Sequence, residues 1–193
     1  MSTFKLATDE LKDEHKVIMR MLDIIEVICN RLNHGETVNP QPFDQAIDFI
    51  RTFADKCHHG KEQDTLFPAM GKKGFPMSTG PIAVMLEEHD QGRAFVKGLY
   101  SAVQRLKEGE KDAIQEISRN AMGYVELLRD HIEKEDKILY PMGDRILAKE
   151  DNEMLLKEFE RIEHTILREG AKQKYLVMIG KLEDELGIER TPI

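Results

Sequence analysis

No tryptophan occurs in this chain, and its only cysteines are Cys29 and Cys57. Two thiols cannot build a disulfide framework, which points to a reducing, cytoplasmic setting. Basic charge is also short: the net charge is −8 and the pI is near 5.4, so the basic stripe expected of a nucleic-acid binder is missing. Long apolar runs are absent too. The longest charge-free stretch, around Phe75 to Leu86, contains proline and glycine and is too short to span a bilayer. No basic region followed by an apolar run opens the chain, so no secretory signal is expected. Nowhere does an apolar–polar alternation persist, which argues against strands.

What remains is the composition of a globular domain, 40% hydrophobic and 33% charged over 193 residues, with enough chain to bury a real core. Apolar residues recur at helical spacing. A first helix is expected from residue 9 to about 33, carrying Leu11, Ile18, Met21, Leu22, Ile25 and Ile28. Asn39 as cap and Pro40 at the first helical position open a second, running to about Met70. Gly80-Pro81 starts a third, to Leu106, and Gly109 separates it from a fourth, about Lys111 to Ala148. The fold class expected is all-α: an antiparallel up-down four-helix bundle over residues 1–148. A C-terminal helical extension, residues 149–193, is interrupted near Gly170 and either packs across the bundle or forms a homodimer contact.

The chemistry lies in a stretch written twice. His58-His59-Gly60-Lys61-Glu62-Gln63-Asp64-Thr65-Leu66-Phe67-Pro68 and His131-Ile132-Glu133-Lys134-Glu135-Asp136-Lys137-Ile138-Leu139-Tyr140-Pro141 share His-x-x-Lys-Glu-x-x-x-Leu-aromatic-Pro, 73 residues apart. A Glu-His pair, Glu14-His15 and Glu88-His89, repeats on the preceding helices 74 residues apart. Positions i and i+4 differ by about 40° around a helix, so each His and its Glu share one face. Glu62 and Glu135 lie among apolar neighbours, where an unpaired carboxylate is costly and a cation removes the cost. One His-x-x-x-Glu alone is more often structural than ligating. Two copies, each matched by a Glu-His one helix earlier, reverse that weighting and point to a two-metal site. Nitrogen and oxygen donors without thiolate suit iron or manganese and tolerate zinc. Cys57, beside His58, reads as a buried thiol acting as a small hydrophobe. Pro68 and Pro141 are expected to end or kink each helix just past the site.

These motifs, over roughly residues 9 to 146, resemble the hemerythrin-like (HHE cation-binding) domains, four-helix bundles that hold a non-haem di-iron centre. The ferritin-like alternative wants Glu-x-x-His on two helices, and no histidine here has a Glu three residues before it. The resemblance implies two iron ions held by His15, His58, Glu62, His89, His131 and Glu135, with the two glutamates bridging. It also implies binding of dioxygen or a related diatomic ligand. Alternatives are an enzyme acting on peroxide or nitric oxide, an iron donor in repair of damaged iron centres, or a sensor. Oxygen-carrying members place a second histidine where this chain has Arg93, and they close the last motif with an Asp at the position of Asp136. An i+5 residue points away unless the helix bulges, so Glu135 is preferred and Asp136 kept in reserve. His59 is a further ligand that swings in, or a neighbour. Arg93 either points at the centre or forms a surface salt bridge. Tyr124 and Tyr140 are read as core residues before hydrogen-bond donors, and His34 and His164 as surface residues.

Overall fold

The computed structural model describes residues 5–36 and 39–189, and all regular structure among them is helical. Six helical runs follow one another: α1 (Ala7–Asn33), α2 (41–72), α3 (Gly80–Lys107), α4 (113–146), α5 (Lys149–Ile166) and α6 (Ala171–Leu186). Side-chain contacts give the helix directions. Asn33 meets Ser118, Asp23 and Glu26 meet Arg129, His15 meets Asp136, and Thr8 meets Asp144, so α1 and α4 are antiparallel. Along α3 and α4, Arg105 meets Glu116 while His89 meets His131. Along α2 and α3, Lys107 meets Asp44 and Arg93 meets Asp55. Each of these pairs reverses direction.

The C-terminal region forms two helices. Gly170, at φ +74°, provides the left-handed turn between them, a conformation open to glycine at no steric cost. Ile179 and Leu182 of α6 join the larger apolar cluster, and Arg20 on α1 holds Glu183 through two 2.6 Å hydrogen bonds. Leu155 and Phe159 of α5 join a second cluster with Leu11 and Met70. Asn152 Oδ1 accepts the Ala7 N–H at 2.8 Å and so caps α1, whose own preceding residue, Leu6, offers no side-chain cap. At the start of α2 the regular helix begins at Gln41, one residue beyond Pro40. Asn39 still does the expected work, its Oδ1 accepting the Gln41 N–H at 3.0 Å.

Of the two outcomes expected at the prolines, termination does not occur. Neither helix ends at its proline: α2 continues as Phe67–Lys72 and α4 as Tyr140–Ile146. A proline has no N–H for the carbonyl one turn back, and both helices absorb this by widening beforehand. Glu62–Leu66 and Glu135–Leu139 are π-helical, and the Phe67 and Tyr140 N–H groups reach back five residues to the Glu62 and Glu135 carbonyls. The bulge is therefore part of the repeat. A longer π-helical stretch, Ile50–His59, runs into the first copy and has no counterpart in the second.

The two apolar clusters are separated by a polar layer. Along each of the first four helices the core is interrupted at the same level: at Glu14 and His15, at His58 to Glu62, at His89, and at His131 and Glu135. Every one of these named side chains is buried.

Candidate metal centre

The six residues expected as ligands converge in this layer. His15 and His58 from α1 and α2 bring their Nε2 atoms to 3.0 Å, and His89 and His131 from α3 and α4 bring theirs to 3.1 Å. The two carboxylates lie between these pairs. Glu135 directs Oε2 at His15 Nε2 and Oε1 at His131 Nε2, both at 3.2 Å. Glu62 Oε2 stands 3.5 Å from His89 Nε2 and 3.9 Å from His58 Nε2. Each glutamate thus addresses one imidazole from each half.

His59 joins them. Its ring stacks on His89, centroids 3.8 Å apart, and its donor atom falls in one group with those of Glu62, His89 and His131; His15, His58 and Glu135 form a second group. In a regular α-helix, adjacent residues point about 100° apart, which would carry His59 off the site. The π-helical Ile50–His59 segment narrows that angle, so both neighbours face inward. The sequence signal for this was faint: a second histidine with no counterpart in the other copy.

Two of the reserve residues lie outside the cluster. Arg93 turns to a surface network with Asp55 at 2.9 Å, Asp90 at 2.7 Å and Gln63 at 2.5 Å. Asp136 accepts a hydrogen bond from His15 Nδ1 at 2.8 Å and so orients that ring. The glutamates of the Glu-His pairs do the same across the helices, Glu14 on His58 Nδ1 at 3.0 Å and Glu88 on His131 Nδ1 at 2.9 Å. The repeated lysines then hold these glutamates: Lys61 donates to Glu14 at 2.6 Å, and Lys134 to Glu88. The repeat had marked Glu14, Glu88, Lys61 and Lys134, whose roles sequence reasoning left unassigned. Tyr140, read first as core, donates its O–H to Glu62 Oε1 at 2.7 Å and lies 3.4 Å from His15 Nε2.

This hydrogen bonding determines what the site lacks. An imidazole that gives Nδ1–H to a carboxylate presents a lone pair at Nε2. His15 and His58 therefore bring two Nε2 atoms to 3.0 Å, with room for at most one proton between them. Glu62 Oε2 and both Glu135 oxygens are buried and accept no hydrogen bond. Burial and then the charge of Glu135 push Glu62 up to about 8. Burial disfavours the charged form of Glu135 as well, but His131 and His15 hold it well below the carboxylate range. Against the same desolvation, Asp136 and Glu135 raise His15 to about 9, and Glu135 and Glu88 raise His131 to about 10. Burial and the neighbouring His131 lower His89 to about 3; burial and the surrounding imidazoles lower His59. The cluster thus draws protons onto Glu62, His15 and His131, the mark of a demand for positive charge at its middle that only protons meet without a metal: a deficit. Divalent cations fit that deficit, and the donor set fits a first-row metal.

A model of the Hemerythrin HHE cation binding domain matches residues 6–143. The chain belongs to this family. Uncharacterized protein Rv1995 of Mycobacterium tuberculosis and Uncharacterized protein Mb2018 of Mycobacterium bovis are each 22% identical to it over 182 residues, spanning 94% of this chain and 71% of theirs. Metal binding is the property of an HHE domain that this site supports directly, through two groups of buried donors. A third group, Glu14, Cys57 and Glu163, already surrounds a cation, since the Lys61 ammonium lies 2.6 Å from Glu14 and 3.2 Å from Glu163. Burial, reinforced by Glu14, pushes the Cys57 thiol up to about 12, so it stays neutral and packs as a small apolar side chain. No helix among the described residues is long and apolar enough to cross a membrane.

Proposed function

We propose that this chain is a cytoplasmic non-haem di-iron protein of hemerythrin type, its centre held at the middle of an up-and-down four-helix bundle, which binds dioxygen or a related small ligand. The observation that carries the reading is the facing pair of inward Nε2 atoms, His15 and His58, beside the buried carboxylates of Glu62 and Glu135. In this assignment His15 and His58 would hold one ion and His59, His89 and His131 the other, with Glu62 and Glu135 shared between them. Iron, when bound, supplies the redox change that lets dioxygen bind.

The protein residues do the rest. Asp136, Glu14 and Glu88 fix three rings with Nε2 turned inward. The first half has one imidazole fewer than the second and would leave an ion held there the more open to an outside ligand. Tyr140 stands there, and burial, with the charges of Glu135 and Glu62, raises its hydroxyl well above 10, so the O–H remains a donor. Arg93, engaged with Asp55 and Asp90, takes no part.

Iron analysis after anaerobic reconstitution tests the assignment: two irons per chain are expected, and well under one refutes it. Optical spectra before and after admitting air then separate the roles. A reversible iron-dependent band supports binding, whereas irreversible oxidation with turnover of peroxide or nitric oxide supports the enzyme reading.

A further inference from the structure

A cavity of about 270 Å³ lies between α2, α3 and α4 on the second-half side of the cluster, reaching His59 and His89. Dioxygen needs a small fraction of that space. A dry cavity of about 150 Å³ already holds benzene. The wall is apolar, formed by Ile50, Val96 and Leu128, with Gly92 contributing no side chain. Asp55 and Glu88 line it as well, the first held by Arg93 and the second by His131 and Lys134, and two further polar groups interrupt it. The Tyr124 hydroxyl and His59 Nδ1 are both buried, their residues 2% and 5% exposed, and neither has a hydrogen-bond partner. Burial and then the charge of Asp55 raise the Tyr124 hydroxyl, so it stays protonated and is a donor without an acceptor. At the solvent side stand Arg51, half-buried over the Tyr100 ring at 4.4 Å, and exposed Lys97; neither has a carboxylate within ion-pair reach among the described residues. Arg93 also lines the cavity but is committed to Asp55.

We propose that this cavity binds a small organic monocarboxylate with an apolar body, its carboxylate at Arg51 and Lys97 and its far end toward the Tyr124 hydroxyl, which donates to an acceptor where the ligand carries one. A bare anion such as acetate would leave the apolar wall uncovered, and a neutral apolar molecule would leave both cations unused. The site needs no metal, because none of these contacts involves the facing imidazole nitrogens.

Calorimetric titration of benzoate, 4-hydroxybenzoate, acetate and benzyl alcohol into metal-free and iron-loaded protein tests this. Benzoate should bind both forms, at least about tenfold more tightly than acetate or benzyl alcohol. The double variant Arg51→Gln/Lys97→Gln should weaken benzoate by about fivefold, as expected for a rim ion pair. Tyr124→Phe, which keeps the ring in place, should abolish any preference for 4-hydroxybenzoate over benzoate, and Val96→Phe should block both. Absence of benzoate binding to either form overturns the proposal. Binding confined to iron-loaded protein and indifferent to the Arg51/Lys97 change also overturns it, since the carboxylate would then be a metal ligand. That second result leaves the di-iron reading standing. Benzoate binding by a protein that takes up no iron would do the reverse.

Discussion

Lys61 and Lys134 occupy equivalent places in the repeat, and each holds the glutamate of a Glu-His pair, yet they should differ several-fold in their effect on stability. Lys61 is fully buried and touches three carboxylates, Glu14 at 2.6 Å, Glu10 at 3.0 Å and Glu163 at 3.2 Å. Desolvation alone would lower its pKa; Glu14 and then Glu10 raise it instead. Lys134 is 37% exposed and pairs with Glu88 alone. Replacing Lys61 by Met leaves Glu14, itself 2% exposed, with His58 and the more distant Lys172, at 3.8 Å, as its remaining partners. Removing one member of a buried ion pair costs about 3–5 kcal/mol. Lys134→Met breaks a partly solvated pair worth about 1 kcal/mol or less. Urea denaturation of chelator-treated protein at pH 7 compares the two directly. Adding Glu14→Gln to Lys61→Met should recover part of the loss, because the stranded charge goes with it.

The pH dependence sharpens this. Burial would raise Glu14, but His58 and Lys61 bring it to about 2, from an ordinary 4.5. A lowered carboxylate contributes stability that is fully present above pH 4.5 and is lost as pH falls toward 2. Without Lys61 the carboxyl protonates earlier, so the gap between native protein and Lys61→Met should narrow as pH is lowered through 4.5. Equal costs for the two lysine variants, or a gap independent of pH, would refute the reasoning.

Metal removal should have its own pH signature. In the metal-free protein Glu62 at about 8, His15 at about 9 and His131 at about 10 are all raised, so the stability they contribute is lost as pH climbs. Lowered His89 has completed its contribution by pH 6.5. Melting temperatures of chelated protein should therefore fall from pH 6.5 to 8, while those of metal-loaded protein stay nearly level; parallel curves would contradict this. Tyr140→Phe places at this position the residue its repeat counterpart already carries, so it should fold and retain two metals per chain. Losing the donor to buried Glu62 Oε1 should cost about 1–3 kcal/mol in chelated protein, read by urea denaturation. Gly123→Ala gains about 1 kcal/mol of helix propensity, yet its Cβ would meet the Phe95 ring at 2.6 Å, so thermal melting should show a net loss of about 1–2 kcal/mol.

Most of the donor set could be read from the sequence because the repeat preserves polar residues as well as apolar ones. Apolar periodicity alone predicts helices at 9–33, 80–106 and 111–148, and the observed limits shift by one or two residues. It says nothing about hydrogen-bond register. The π-helical turns follow from Pro68 and Pro141 only when the helix is required to continue past them, and that requirement comes from packing: Phe67, Met70 and Tyr140 belong to the second apolar cluster. His59 was obscured for the same reason, since its inward direction depends on the widened turn. Pairing across helices is likewise invisible in a linear reading. Glu14 and Glu88 look like members of their own Glu-His pairs, but each serves a histidine on a different helix.

The repeat also shows where the two halves part company. Tyr140 answers to Phe67, Asp136 to Gln63, and Ile132 to His59. Each difference changes one contact at the cluster. Tyr140 stacks on His15 and adds a hydroxyl to Glu62, whereas Phe67 stacks on His89 with nothing to donate. Asp136 takes the His15 Nδ1–H, while Gln63 turns to Arg93 and leaves His89 Nδ1 bare. Ile132 fills core where His59 supplies an imidazole. A site that merely caged cations would do as well with two identical halves. All three differences give the first half directed hydrogen bonds around fewer imidazoles, and the second half an additional imidazole beside a cavity. Such a division suits a centre in which one ion is held firmly and the other meets an outside ligand next to a fixed donor.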